Sequence, residues 1–215
     1  MNQNHLDIKK IALVSTLLAM ALVIDFVTGL IPGLNVSMPL GGRFFNLSLL
    51  PIILIGLVIG PLYGIIGAVL YGVLTFYMDG YALAYFTEDF LQASLVFMLD
   101  YVIAFGALGL SGFFKKGLET PLNFIVTTVT VMMIRWLSST IVGALLWVTY
   151  ASYNEWTQDL LNNVGQNAFL YSGIYNILYT LTSIISISVI GSLTLKQLNI
   201  LKNQFQSNPI RLTNQ

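Results

Sequence analysis

Long, continuous runs of apolar residues separated by short polar segments form the main pattern of this chain from residue 11 onward. A helix needs about 20 mostly apolar residues to cross a hydrocarbon core about 30 Å thick. Because the runs do not alternate between apolar and polar positions, they indicate helices rather than the strands of a barrel. The pattern predicts six transmembrane helices, at residues 11–31, 45–58, 61–78, 90–113, 121–150 and 167–195, with a turn at Gly60-Pro61.

The composition agrees with a protein embedded in lipid. Of the 215 residues, 56% are hydrophobic and only 8% are charged, whereas soluble domains carry about 25% charged residues. So little charge cannot cover a globule in water. We therefore interpret residues 1–215 as a single all-α membrane domain with polar tails at 1–10 and 198–215.

The distribution of charge predicts the orientation of the helices. If the chain crosses six times, one side receives Lys9, Lys10, Lys115, Lys116, Lys196, Lys202 and Arg211. The other side receives Asp79, Glu88, Asp89, Glu155 and Asp159, with Arg43 as its only cation. Since cytoplasmic loops are enriched in Lys and Arg, we expect a multi-pass protein of the cell membrane with both termini and both tails in the cytoplasm.

Several kinds of chemistry are missing from the sequence. The chain has no cysteine and a single histidine, His5, in the polar N-terminal tail. It also lacks a GxxxxGK[ST] phosphate loop and the HExxH and GxSxG motifs of hydrolases. We therefore expect a protein that is not an enzyme, with no catalytic residue, metal site, cofactor or nucleic-acid partner.

Small residues recur at every fourth position through the second and third helices: Gly56, Gly60, Gly64, Ala68 and Gly72. Such stripes let helix backbones approach closely in lipid, so we interpret this one as internal packing. The first helix carries a weaker version of the pattern, formed by Ala12, Ser15, Thr16 and Ala19. This second set fits either a docking surface for a partner membrane protein or ordinary packing, and the spacing does not choose between them.

Three ionisable residues, Asp25, Asp100 and Arg135, lie within the predicted spans. Charges at such depth are costly and face a partner or a cavity. At 1.5 Å per residue, Asp100 lies about 15 Å below the outer surface and Arg135 about 21 Å above the inner one. These two residues therefore form a salt bridge between helices, face a ligand, or do both. Asp25, near the outer end of the first helix, is interpreted as interfacial.

Polar and aromatic residues follow Arg135 along the fifth helix and continue in the sixth. The candidate ligand-binding residues are Asp100, Arg135, Ser139, Trp147, Tyr150, Tyr171 and Asn176. The aromatic residues, taken singly, also fit an interfacial belt, and Asn176 needs a partner that is either a helix or a ligand. A carboxylate beside aromatic rings suits a flat cationic or amino-substituted aromatic ligand.

Three blocks of sequence resemble the S components, the substrate-binding subunits, of energy-coupling factor (ECF) transporters, specifically the thiamine-binding family. The first comprises residues 38–42 (MPLGG), 48–52 (SLLPI) and the glycine-rich run to Gly72. The second comprises 99–101 (LDY), 104–105 and 108–114 (LGLSGFF). The third comprises Arg135, Ser138, Ser139, Gly143, Trp147, Tyr150, Ala151, Tyr171, Ser172, Tyr175 and Asn176.

This resemblance implies a six-helix bundle that binds thiamine, or a related pyrimidine or thiazole compound, with high affinity from outside. It implies assembly with a transmembrane T component, contacted through the small residues of the first helix, and with two cytoplasmic ATPase subunits. It also implies that Asp100 contacts the aminopyrimidine and that Trp147 stacks on the ligand. The chain departs from the family at Ser139, where a histidine is usual, and its 33–38 loop lacks a covering tryptophan.

Two other functions remain alternatives. A self-sufficient secondary transporter, coupled to protons through Asp100, would need no ATPase, although the sequence has no clear inverted repeat. A structural or assembly protein would bind no small molecule. For the importer, we expect the ligand to enter between the outer ends of helices four to six and to be capped by the loop at residues 33–42.

Overall fold

The fold is described from a computed structural model, which covers residues 3–86 and 89–206. Its α-helices are α1 (Gln3–Gly29), α2 (Leu49–Ile59), α3 (Pro61–Asp79), α4 (Tyr81–Tyr85), α5 (Phe90–Val96), α6 (Ala104–Gly109), α7 (Pro121–Leu145), α8 (Glu155–Asn163), α9 (Ala168–Leu193) and α10 (Leu195–Gln206). A π-helix at Phe97–Ile103 joins α5 to α6, and 3-10 helices follow at Leu110–Phe113 and Trp147–Tyr153.

Five segments within the described residues are long and apolar enough to cross a membrane: Ile8–Gly29, Pro61–Asp79, Phe90–Phe113, Pro121–Leu145 and Ala168–Leu193. The helix predicted at 45–58 begins only at Leu49, because residues 45–48 form a turn closed by a hydrogen bond between the Ser48 amide and Asn46. The resulting α2 has 11 residues and is about 16 Å long. Six full crossings and the orientation of the termini therefore stay predictions.

The ends of several helices differ from the predicted ones. The fifth predicted helix, 121–150, stops as an α-helix at Leu145, where the backbone tightens into the 3-10 helix. The predicted tail at 198–215 is in part α10, an amphipathic helix whose apolar side chains pack against the core. Helix α1 starts within the predicted tail at 1–10, since helical hydrogen bonding extends beyond the apolar run. Arg211 and Glu88, used in the charge argument, lie outside the described residues.

The predicted turn between the second and third helices is confirmed at Gly60, whose φ of 123° lies in the region that favours glycine. The interpretation of the small-residue stripe as internal packing is also confirmed, except at Gly60, where an added Cβ atom would meet nothing within 4 Å. A Cβ atom added at Gly64 would lie 2.7 Å from the carbonyl oxygen of Gly109, and one at Gly56 would lie 2.8 Å from that same oxygen. Helices α2 and α3 therefore pack with their backbones in direct contact against the segment Phe90–Phe113, called the fourth span below after its place in the predicted order.

The fourth span is not the single α-helix that the apolar run predicted. Its central third, Phe97–Ile103, is a π-helix, and Asp100 lies at the middle of that segment. A π-helix has one more residue per hydrogen-bonded ring than an α-helix and occurs often at functional sites. The irregular turn therefore sets the direction in which Asp100 leaves the helix.

Residues 30–48 form a folded loop between α1 and α2, called the capping loop below. An antiparallel bridge joins Ser37 to Arg43, and the Met38 amide donates to the Gly42 carbonyl at 2.9 Å. Met38 and Leu40 are buried. The loop is therefore packed against the helices instead of extending into solvent.

Candidate functional site

A cavity lies between the capping loop and helices α1, α3, α7, α9 and the π-helix. Six of the seven predicted binding residues line this cavity: Asp100, Arg135, Ser139, Trp147, Tyr171 and Asn176. They come from the fourth span, from α7 and the 3-10 helix that follows it, and from α9. The tertiary fold therefore brings together residues separated by up to 76 positions in the chain.

Asp100 and Trp147 form one hydrogen-bonded unit in the wall of the cavity. The indole Nε1 of Trp147 donates to the carboxylate Oδ2 of Asp100 at 2.9 Å, and Trp147 is only 8% exposed. A hydrogen bond to a carboxylate is stronger than one between neutral groups. The bond therefore fixes the orientation of the negative charge and of the flat ring beside it.

Arg135 lies among aromatic rings and does not pair with Asp100. Its guanidinium carbon lies 4.7 Å from the centre of the Phe105 ring and 5.9 Å from that of Tyr179. Among the described residues, the salt bridges involve Arg43 and not Arg135. The predicted alternative of an Asp100–Arg135 salt bridge is therefore wrong for this structure. The Asp100 carboxylate accepts a hydrogen bond from the Trp147 indole instead, and the Arg135 guanidinium lies against aromatic rings. The Nε of Arg135 is buried without a hydrogen-bond partner among the described residues.

Asn176 uses its amide mainly inside the helix bundle. Its Nδ2 donates to the Ser172 carbonyl at 2.9 Å within α9 and to the Ser139 carbonyl at 3.3 Å on α7. Its Oδ1 accepts a hydrogen bond from the Tyr179 hydroxyl at 2.6 Å. Of the two partners that the sequence left open, the helix is the one observed. Asn176 therefore ties α7 to α9 at the cavity wall.

Two tyrosines of α9 face the cavity in different ways. The Tyr171 hydroxyl is buried and has no hydrogen-bond partner among the described residues. The Tyr175 hydroxyl accepts from the Leu40 amide at 3.1 Å and donates to the Gly41 carbonyl at 2.9 Å. Tyr175 thus fastens the capping loop to α9, a role that the sequence analysis did not assign.

Tyr150 is the predicted binding residue that does not line the cavity. Its hydroxyl donates to the Tyr85 carbonyl at 2.8 Å, and its ring packs against those of Tyr85, Phe86 and Trp147. Residues three apart lie above one another in a 3-10 helix, so Tyr150 lies one turn after Trp147 on the same face of that helix. Its observed contacts support the position of Trp147.

A cluster of three charged residues completes the cavity wall and was missed by the sequence analysis. The guanidinium of Arg43 contacts Asp25 and Asp79, each at 2.5 Å. Asp25 also accepts a hydrogen bond at 3.0 Å from the amide of Asn35. Burial by itself would lower the pKa of Arg43, but the two carboxylates outweigh burial and raise it, so this guanidinium stays charged.

The interpretation of Asp25 as interfacial is wrong, since Asp25 is only 6% exposed and lines the cavity. Local sequence does not show this, because the Arg43 that compensates the charge lies 18 residues away on the capping loop. One signal was available. Arg43 is the only cation among the acidic residues of its predicted side, and such a cation is expected to pair with them.

The four small residues of α1, Ala12, Ser15, Thr16 and Ala19, are all exposed. The buried face of this part of the helix is formed instead by Val14, Leu17 and Ala21. The Thr16 hydroxyl donates to the carbonyl of Ala12 one turn earlier, at 2.9 Å. Packing within the described chain therefore does not explain the pattern, and docking to a partner stays a prediction. Within residues 3–86 and 89–206 there is also no group of three or more side chains suited to a metal ion.

Comparison with known proteins identifies similar sequences and a similar structure. The sequence profile of the family described as thiamine transporter protein matches residues 11–202. The thiamine transporter ThiT of Bacillus subtilis (strain 168) is 26% identical over 200 residues, which cover 88% of this chain and 91% of that protein. A solved structure of ThiT from Listeria monocytogenes matches with a TM-score of 0.66 at 19% identity, covering 91% of this chain and 98% of that one.

Proposed function

Because the chain belongs to the thiamine transporter protein family, we propose that it is the thiamine-binding S component of an ATP-driven ECF importer. Membership confirms the family that the three sequence blocks predicted. With five long apolar helices in the described residues, it also supports a multi-pass membrane protein. The substrate-binding role, the partners and the cytoplasmic position of both termini are proposals.

The observation that carries this proposal is the Asp100–Trp147 unit in the cavity wall. Thiamine joins a permanently cationic thiazolium ring to a flat aminopyrimidine. A carboxylate next to an aromatic face offers a counter-charge, a hydrogen-bond acceptor and a stacking surface to such a molecule. Asp100 accepts a hydrogen bond from the exocyclic amine, and Trp147 and Tyr171 stack on the rings.

The charges of the cavity wall favour a monocation. Three carboxylates and two guanidinium groups line it, namely those of Asp25, Asp79, Asp100, Arg43 and Arg135. By formal charge, these five groups give the wall one net negative charge. A buried net charge is costly unless a ligand or partner compensates it, and thiamine brings the single positive charge that balances it.

Tryptophan fluorescence tests the proposed substrate. The chain has three tryptophans, of which Trp147 lines the cavity, whereas the Trp136 indole donates to the Gly173 carbonyl at 3.1 Å. In purified protein in detergent, we expect saturable quenching by thiamine at submicromolar concentration, lost in Trp147→Phe and kept in Trp136→Phe. If neither thiamine nor its pyrimidine and thiazole halves changes the fluorescence of the unmodified protein, thiamine is not the substrate.

Transport assays separate the importer from the alternative of a secondary transporter. The sequence has no phosphate loop with which to use ATP, so we expect vesicles that contain this chain alone to bind thiamine without accumulating it. Addition of the T component and the ATPases should allow uptake that depends on ATP. Accumulation by the chain alone, abolished by an uncoupler, would instead support proton coupling through Asp100.

The exposed small residues of α1 provide the proposed docking surface. Ala19→Leu places a larger side chain on this face, away from the cavity. Close approach between membrane helices requires small residues, so we expect this variant to bind thiamine normally and to lose ATP-dependent uptake. Unchanged uptake would place the docking surface elsewhere.

A further inference from the structure

The capping loop forms one wall of the cavity. Leu40, Gly41 and Gly42 line the cavity directly. Gly41 and Gly42 have φ values of 97° and 84°, which allow the tight reversal that presses this part of the loop inward. A molecule that enters or leaves from the side of the loop must displace these residues.

Contacts on both sides of the Gly41-Gly42 reversal hold this part of the loop in position. On one side, the Tyr175 hydroxyl bonds to the backbone of Leu40 and Gly41. On the other side, Arg43 follows the reversal directly and contacts Asp25 on α1 and Asp79 at the end of α3.

Asp25 and Asp79 belong to two different helices, so Arg43 connects the loop to both at once. A planar guanidinium can serve two carboxylates through separate nitrogens, and here NH1 faces Asp25 while NH2 faces Asp79. Asn35, from the first half of the same loop, donates to the backbone carbonyl and the side chain of Asp25, each at 3.0 Å. Both halves of the loop therefore converge on Asp25.

We propose that Arg43 is a positioning residue that fastens the capping loop over the cavity, and that its contacts with Asp25 and Asp79 must break before a bound ligand leaves. The part that concerns the ligand rests on the proposed function. The fastening of the loop does not, because the contacts involve only residues of this chain.

If Arg43 acted only through its charge, its variants would release thiamine at different rates from those expected if it fastens the loop. Arg43→Gln makes the cavity more negative, so a purely electrostatic role would hold a cation more tightly and slow its release. Asp79→Asn makes the cavity less negative and would speed release by the same reasoning. Fastening predicts that both variants release thiamine at least about tenfold faster, equivalent to about 1.4 kcal/mol.

Loop opening can be measured without any ligand, because the natural chain has no cysteine. Met38, only 3% exposed, reports on the closed loop when replaced by cysteine, and Val36, which is 46% exposed on the same loop, provides the control. Arg43→Gln and Asp79→Asn should each speed maleimide labelling of Met38→Cys by at least about tenfold, the same factor expected for release. Labelling of Val36→Cys should stay unchanged in both backgrounds.

Two further measurements make the outcomes decisive. Arg43→Lys keeps the positive charge but lacks a guanidinium that can contact Asp25 and Asp79 at once. In this background, Met38→Cys should be labelled at an intermediate rate. If the variants have equal unfolding temperatures, faster labelling reflects local opening of the loop and not loss of the fold. Labelling of Met38→Cys that stays slow in either variant overturns the fastening role. If the natural protein binds no thiamine, the proposed function fails while the labelling experiment still tests the loop.

Discussion

Replacing Asp100 by asparagine removes one negative charge from the cavity and changes little else. Asparagine has nearly the same shape, and its side-chain oxygen can still accept the hydrogen bond that Trp147 donates at 2.9 Å. The stacking ring should therefore keep its position. The variant isolates the contribution of the charge to binding of a cationic ligand.

The size of the effect follows from two contributions. A hydrogen bond to a charged group is worth about 1.5–3 kcal/mol and one between neutral groups about 0.5–1.5 kcal/mol, a difference of about 1–1.5 kcal/mol. Attraction between opposite charges about 5 Å apart, at an effective dielectric constant of about 20, adds about 3 kcal/mol before partial screening. We therefore expect Asp100→Asn to lose about 2–4 kcal/mol of binding free energy, or about 30-fold to several hundred-fold in affinity.

The assay is the fluorescence titration with thiamine, and the chain offers a matched control. Asp89 is an exposed carboxylate outside the cavity that caps α5 through the amides of Leu91 and Gln92. Asp89→Asn makes the same change in charge and keeps the cap, so its affinity should equal that of the natural protein. A loss of less than about threefold in Asp100→Asn, well under the tenfold of 1.4 kcal/mol, would refute the counter-charge role.

Three other variants and one control test the packing and the limits of the site. Gly64→Ala should lower the free energy of unfolding by about 1–3 kcal/mol, because its Cβ would lie 2.7 Å from a backbone oxygen, whereas Gly173→Ala, with its nearest atom at 3.7 Å, should not. Asn176→Ala should cost about 1–3 kcal/mol in ligand-free protein, since it removes the bond to the Ser139 carbonyl. Tyr150→Phe should change thiamine affinity by less than about threefold, about half of the 1.4 kcal/mol of a tenfold step, because its hydroxyl bonds outside the cavity.

Each of these expectations has a result that contradicts it. Equal thermal unfolding of Gly64→Ala and Gly173→Ala would mean that α3 can move away from the fourth span. Unchanged stability of Asn176→Ala would show that its bonds within the bundle contribute little. A tenfold loss of affinity in Tyr150→Phe, or about 1.4 kcal/mol, would show that Tyr150 takes part in thiamine binding.

The sequence by itself determined the class of the protein and the location of its long helices. Length and continuous hydrophobicity are local properties, and lipid imposes helices on such segments whatever their neighbours. The turn at Gly60 and the close packing of Gly64 also follow from local chemistry. The types of the candidate residues indicated a pocket for the same reason, since polar groups in apolar helices require partners.

Tertiary structure alone decided how these groups are paired. The burial of Asp25 depends on Arg43: the charge count indicated that Arg43 pairs with an acidic residue, but only the folded loop shows that Asp25 and Asp79 are its partners. Arg135 contacts aromatic rings and does not pair with Asp100, and Asp100 leaves the chain from a π-helix that no apolar run reveals. Hydrophobicity determines that a helix is buried in lipid, whereas the partner of a buried charge depends on the three-dimensional arrangement of distant segments.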